Sequence, residues 1–451
     1  MIDYSNLRKQ ALLLALEGIK AADPEQAVKR CMVNRNDSIE ICGINFSKVY
    51  NFYIIGAGKA SGNMALAVEE ILEDNLVSGI VTVPEEIVSR YSSQKIEFLG
   101  STHPYPSDKS VYAAERIIDF VKELPSKSLL ISLFSGGGSA LIEKPVDNVT
   151  IKDIAKTSSL LMKAGADIYE LNTVRKHLSK IKGGWLAKHA FPISMISLLI
   201  SDVVGDRIDV IASGPTAPDK TTFEDALRIL KRYNLEKSVP RNVIKYLYDG
   251  VRGLNPETPK PNDRIFENVK NFVVASNIVS LNAMKKKAEE MGYKAIILTS
   301  RVLGEAKEIG KLIAGIGIEV YTNGNPLAPP AILLAGGETT VTVKGDGIGG
   351  RNQELALSAA LMLQEYEGIV IASIGSDGRD GPTDAAGAIV DCNTIRKAYD
   401  LGLNPRKYLD NNDSYSFFEK VGGLIKTGYT GTNVNDFIII LVKNSREQKR
   451  G

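Results

Sequence analysis

Several short segments of this chain combine glycine, small polar residues and a charged side chain, and most of them come straight after an apolar run. In the first, Phe52-Tyr53-Ile54-Ile55 leads into Gly56-Ala57-Gly58-Lys59-Ala60-Ser61-Gly62. Glycines let a backbone approach an anion, and the N–H groups that open a following helix point at it. Lys59 adds a full positive charge, so it reads as an anion-binding or catalytic lysine, against the plainer reading of a solvated lysine at a helix start. The spacing is not that of a P-loop: Tyr53 stands at the first glycine position and Ala60 follows the lysine. Ser61 takes the third glycine place of G-x-G-x-x-G, although Glu85 and Glu86 follow at the distance of a ribose-binding acid.

The second segment, Ser135-Gly136-Gly137-Gly138-Ser139, follows a run ending at Phe134. Three consecutive glycines are expensive to order. After a buried strand they point to an anion cradle made of backbone N–H groups, against a simple tight turn. The third is Ser201-Asp202-Val203-Val204-Gly205-Asp206, with Ala212-Ser213-Gly214-Pro215-Thr216 after it. Asp202 and Asp206 suit a divalent cation, a proton to be accepted, or a helix cap. Asn172, Arg175, Lys176 and Lys180 are spaced to share a helix face, either solvated or turned toward a bound anion. His177 beside them reads as structural. In the second half, Gly336-Gly337-Glu338-Thr339-Thr340 ends a strand, and residues 345–350 place flexible glycines before Arg351 at a helix start. An arginine so placed makes paired hydrogen bonds to a carboxylate or phosphate. The loops 375–384, with Asp377, and 427–436 are equally rich in small polar residues.

These loops need strands to end at them. Residues 52–55, 80–83, 129–133 and 196–200 are apolar runs of strand length, separated by helical patterns, which predicts a parallel sheet covered on both faces. The chain opens with a helix carrying Leu7, Leu12, Leu13, Leu16 and Ile19, and Asp23-Pro24-Glu25-Gln26 reads as the start of another. Pro256, Pro259 and Pro261 among polar residues at 248–267 suggest a connection between domains. The same α/β rhythm then resumes with runs at 272–276, 295–298, 331–334, 369–374 and 437–442. Two α/β domains would leave a cleft, the usual place for a small-ligand site.

Composition narrows the partners. Lys plus Arg is 55 against 53 Asp plus Glu, a formal net charge of +2, which gives no basis for a nucleic-acid or anionic-membrane surface. Cys31, Cys42 and Cys392 form neither a C-x-x-C pair nor a disulfide framework, as expected of thiols in a reducing compartment. The N-terminus lacks the blocks of a signal peptide, and the longest apolar stretches fall far short of the roughly 20 residues of a membrane span. A cytoplasmic protein is expected.

In order and over nearly the whole chain, these segments resemble the signatures of the glycerate 2-kinase family, also called the MOFRL family. The N-terminal ones are Gly56 to Ala60, Ser135 to Leu141, Asn172 to Ser179, Ser201 to Asp206 and Ile211 to Thr216. The C-terminal ones are Gly336 to Thr339, Gly349 to Glu354 and Asp377 to Asp384; one departure is Tyr429, where the family usually has proline. The resemblance implies an α/β fold of two domains, a Rossmann-like one over 1–250 and a MOFRL-type one over 266–446, with the site in an interdomain cleft. It implies phosphorylation of the 2-hydroxyl of D-glycerate by ATP, assisted by Mg²⁺ or another divalent cation. Lys59 and Arg351 match the lysine and arginine the family is thought to use.

On that footing Ser135, Gly136, Gly137, Gly138, Ser139 and Arg175 are expected at the substrate. Asp202, Asp206, Ser213, Gly214, Gly336, Gly337, Glu338 and Thr339 are expected at the nucleotide, and Glu338 and Asp377 near the metal. Asp202 and Asp206 are the candidate general bases. Glycerate and ATP are the expected partners, with a homodimer as the candidate assembly. Some relatives carry the name hydroxypyruvate reductase, so an NAD(P)-dependent reductase is the alternative; it rests on the Gly56 loop with Glu85 or Glu86 and leaves the other loops unexplained. A non-catalytic phosphosugar-binding regulator is a third reading.

Overall fold

The computed structural model describes residues 3–443. They form two compact units: Pro24–Val274 is one, and the described parts of Met1–Asp23 and Ala275–Gly451 make the other.

The first unit is built on a six-stranded sheet. From edge to edge its strands are Ile96–Ser101, Leu76–Pro84, Asn51–Ala57, Ser128–Phe134, Ser194–Ile200 and Val269–Ala275. Ranked by chain order this is 3-2-1-4-5-6, the doubly wound arrangement, with parallel pairing across the first five. Ser128–Phe134 is buried at every position, which is why it reads as a largely apolar run, broken only by buried Ser132, rather than an alternating one. Strand order reverses between Asn51–Ala57 and Ser128–Phe134. Such a reversal opens a crevice beyond the C-terminal ends of the two strands. A small antiparallel sheet of Met32–Asn34, Ser38–Ile41 and Ile44–Ser47, not foreseen from sequence, precedes this core.

The second unit also has six strands, in the order Lys294–Val302, Ala331–Gly337, Asp436–Val442, Ile369–Gly375, Gly387–Asp391 and Leu424–Ile425. Only the first pair is parallel; every other pairing is antiparallel. Strands and helices alternate through most of this unit, as the sequence rhythm led one to expect, but that rhythm does not carry the direction of pairing. A fully buried strand is apolar in either direction, and helices cover both faces in either case. In Asp436–Val442, Ile438, Ile440 and Val442 join the core beside helix Ala306–Asn323, while Phe437 meets Gly18 of helix Tyr4–Ala21 on the opposite face.

Two expected boundaries move. The proline-bearing segment at 248–267 does not leave the first unit: Thr258 donates to Asp219, the amide of Asp219 donates to the Pro259 carbonyl, and the chain re-enters the same sheet as Val269–Ala275. The opening helix, expected with the first domain, belongs to the second unit. Its buried stripe is Leu7, Ala11, Leu14, Ala15 and Gly18, not the expected Leu13 and Leu16, which are exposed. Arg8 pairs with Asp391 at 2.7 Å, and the Gly368 amide donates to the Tyr4 hydroxyl. Residues 444–446, the end of the expected second domain, lie outside the described residues. Among the described residues, no helix is long and apolar enough to cross a membrane.

Candidate active site

The crevice at the strand-order reversal receives both glycine loops of the first unit. Strand Asn51–Ala57 ends at Gly58, whose φ of 154° only glycine adopts comfortably. The chain then turns, and the Lys59 amide donates to the Gly136 carbonyl at 3.0 Å. Buried Ser135 links the loops a second time: its Oγ accepts from the Ala60 amide at 3.0 Å and shares a hydrogen bond with Ser61 Oγ. So Ser61, the residue that spoils the dinucleotide fingerprint, is a tie between two loops.

Two glycines are needed for what surrounds them. A Cβ at Gly136 would fall 2.2 Å from Asp202 Oδ2. At Gly137, where φ is +87°, a Cβ would fall 3.0 Å from His103 Cδ2 and 3.4 Å from Lys59 Cγ. Asp202, His103 and Lys59 therefore converge on the loop 135–139. Its far end is fixed by Ser139 Oγ, 2.7 Å from Ser213 Oγ, which in turn donates to Asn172 Oδ1. Ser213, at φ +61°, stands in a left-handed stretch with Ala212 and Gly214. Asp202 and Ser213, expected with the nucleotide residues, are thus part of the glycine loop's own surroundings. Gly214 packs against the Asp209 backbone, and Asp206 ends a turn at φ +55° on the same connection.

The basic stretch at 172–182 does not present an open cationic face. Arg175 Nη2 donates to the Ser139 carbonyl at 3.1 Å, and its enclosed Nε has no partner among the described residues, so the residue braces the loop from behind. Burial lowers its affinity for a proton, partly offset by Glu143. Lys176 is buried near Asp209 and Asp219, at 3.5 and 3.6 Å, and Lys182 is buried against Glu143. Burial brings Lys182 down to about 8 against the opposing pull of Glu143.

The second unit gathers another group. Arg351 opens helix Arg351–Met362, binds Asp436 through Nε at 2.6 Å and Nη2 at 3.0 Å, and binds Glu338 through Nη1 at 2.8 Å. Burial opposes its charge, but Asp436 and then Glu338 outweigh that and hold the guanidinium above its ordinary value. Burial pushes Asp436 up to about 6 in spite of Arg351. Asp380 accepts from the Asn352 and Gln353 amides at 3.0 and 2.8 Å and so caps this helix from a distant loop. A Cβ at Gly350 would fall 2.2 Å from Asp380 Cγ; the glycines before Arg351, expected to be flexible, make room for close packing. Glu338, Thr339, Gly350, Arg351, Asp377 and Asp380 line a cavity of about 910 Å³. Gly336 and Gly337 form the end of the strand beneath it.

His103 escaped the sequence reading, although it obeys the rule that found the other loops. It follows a parallel strand, Ile96–Ser101, whose half-exposed pattern is too weak to stand out as an apolar run.

Residues 10–248 match the domain of unknown function DUF4147, and residues 331–436 match the MOFRL family. The chain is 42% identical to a glycerate 2-kinase of Pyrococcus horikoshii over 98% of each chain. It is 41% identical to a D-glycerate 2-kinase of Thermotoga maritima over 98% of this chain and 100% of that one. The crystal structure of the Thermotoga maritima glycerate kinase superposes with a TM-score of 0.86 at 40% identity, covering 97% of this chain and 100% of that chain. With both halves matched, and similarity running from end to end, the chain belongs to the glycerate 2-kinase family.

Proposed function

We propose that this protein transfers the γ-phosphoryl group of ATP to the 2-hydroxyl of D-glycerate, giving 2-phosphoglycerate and ADP. One observation carries the reading: Lys59 and the Ser135–Ser139 loop converge at the strand-order reversal, where a small anion would meet backbone N–H groups and the lysine's charge. Phosphoryl transfer needs mainly positioning and charge neutralisation. The loop would hold the glycerate carboxylate, with Arg175 bracing it through the Ser139 carbonyl. Lys59 would meet the charge that develops on the transferring group.

The cavity in the second unit is of a size suited to a nucleotide. Its lining carries Glu338, Asp377 and Asp380 beside Arg351, an acidic surround for a polyphosphate unless a divalent cation accompanies it. Among the described residues no group of three or more His, Cys, Asp or Glu is disposed to hold a metal ion. That donor set fits Mg²⁺, which keeps several waters and takes one or two carboxylates together with substrate phosphates. Glu338 and Asp377 would be those carboxylates, acting through water, and the ion would neutralise phosphate charge. ATP as the donor and three free thiols support a cytoplasmic setting for the reaction.

Phosphorus NMR of a reaction with D-glycerate, ATP and Mg²⁺, free of mutase, tests this reading. A 2-phosphoglycerate signal growing with ADP is expected. A dominant 3-phosphoglycerate signal would overturn the regiochemistry, and hydroxypyruvate-dependent NADH consumption without ADP formation would overturn the kinase.

A further inference from the structure

The chain has three histidines, and the fold employs two of them. His177 Nδ1 lies 2.7 Å from the Thr173 carbonyl and its Nε2 2.8 Å from Glu257, with the ring packed on Phe223. His189 Nε2 lies 2.9 Å from the Lys180 carbonyl. His103 differs. Among the described residues it has no hydrogen-bond partner, and it is only half-buried. Its ring lies over the glycine loop: the point where a Gly137 Cβ would stand is 3.0 Å from Cδ2, 3.2 Å from Nε2 and 3.4 Å from Lys59 Cγ. The glycine at 137 is what admits the ring, beside the lysine that would meet the phosphoryl group.

We propose that His103 is a further catalytic residue of this site, its imidazole taking the proton of the acceptor hydroxyl as that oxygen attacks phosphorus. The inference rests on the kinase reading given above. In the step, the glycerate oxygen forms a bond to the γ-phosphorus, and the bond from that phosphorus to its bridging oxygen breaks. ADP leaves with the electron pair, the hydroxyl proton moves to the ring, and water carries it away. The charged groups facing the ring are Lys59 and Glu86. Burial and then Lys59 hold the imidazole below the ordinary histidine range, and Glu86 works against both. The ring is therefore uncharged at neutral pH, with a lone pair available.

With only three histidines, carbon-13 labelling at Cε1 resolves each ring, and His103→Asn assigns its signal. Two readouts decide. D-glycerate should move the His103 titration while leaving His177 and His189 unchanged, and the acid limb of kcat/KM should follow the His103 pKa read in the free enzyme. His103→Gln should lower kcat by about 100-fold, lose that limb and keep its KM for glycerate. Near-normal turnover in both His103→Gln and His103→Asn with the limb intact would overturn the assignment. So would an acid limb that does not coincide with the His103 titration in the unaltered protein, a comparison that holds even where a variant fails to fold. Absence of 2-phosphoglycerate from the unaltered protein would instead sink the kinase reading.

Discussion

Arg351 answers two carboxylates at once, and its charge alone does not explain it. The two nitrogens on Asp436 and the third on Glu338 require a planar fork. Arg351→Lys should therefore destabilise the protein by about 2 kcal/mol, because an ammonium leaves buried Asp436 short of donors. Urea unfolding measures this, and an unchanged midpoint would reduce Arg351 to a diffuse charge. Asp436 predicts a pH effect with a definite sign. Its folded value, about 6, lies above the roughly 4 of an unfolded aspartate. The native state thus binds the extra proton between these values, and the stability contributed by this group is complete below about 4 and lost as pH rises through about 6. Asp436→Asn should remove that slope between pH 4 and pH 6 in a series of unfolding midpoints. Lys59→Ala should lower kcat by at least about 100-fold with the fold intact, as for a lost contact to developing charge; near-normal turnover would take Lys59 out of the mechanism. At this scale the sequence marked Lys59 and Arg351 because each follows glycine at an element boundary. It could not show that Arg351 is bound to Asp436, 85 positions away.

The glycine loop after Ser128–Phe134 works through what its missing side chains admit. Gly136 admits Asp202, and Gly137 admits His103. Gly136→Ala has no positive φ to strain, so it should leave stability close to normal while pushing the Asp202 carboxylate from its place. Displacements of about 1 Å in such sites lower rates by about 100-fold, and that is the expected loss in kcat/KM. If Asp202 is the group displaced, Gly136→Ala combined with Asp202→Asn should be no worse than the worse single variant. Additive losses in a double-mutant cycle would show that the loop backbone, not Asp202, carries the effect. The loop was legible because three consecutive glycines after an apolar run are rare without a purpose. Its flanking imidazole was not, because the strand before His103 is only partly buried and its pattern is weak.

For the molecule as a whole, the opening helix is the clearest case of distant chain closing a core. Leu14 is fully buried, and Gly18 lets the helix press on Met284 and Phe437. Leu14→Ala should lower the stability of the second unit by about 3 kcal/mol, seen as an earlier thermal transition for probes in residues 275–443 than for probes in residues 24–274. A uniform shift of both would assign the helix to neither unit. The sequence by itself determined that the chain is α/β, where most strands and their glycine-rich loops lie, and which lysine stands at a strand end. These follow from short-range physics: the length of an apolar run, the backbone freedom of glycine, the charge at a helix start. Only the tertiary structure decided that the second sheet is largely antiparallel, that Val269–Ala275 completes the first sheet, and that Tyr4–Ala21 closes the second unit. It also decided that Arg175, Lys176 and Lys182 are held by internal partners while His103, among the described residues, has no hydrogen-bond partner. A buried strand looks apolar whichever way its neighbour runs, and a charged side chain reads alike whether or not its counter-charge, dozens of residues away, folds against it.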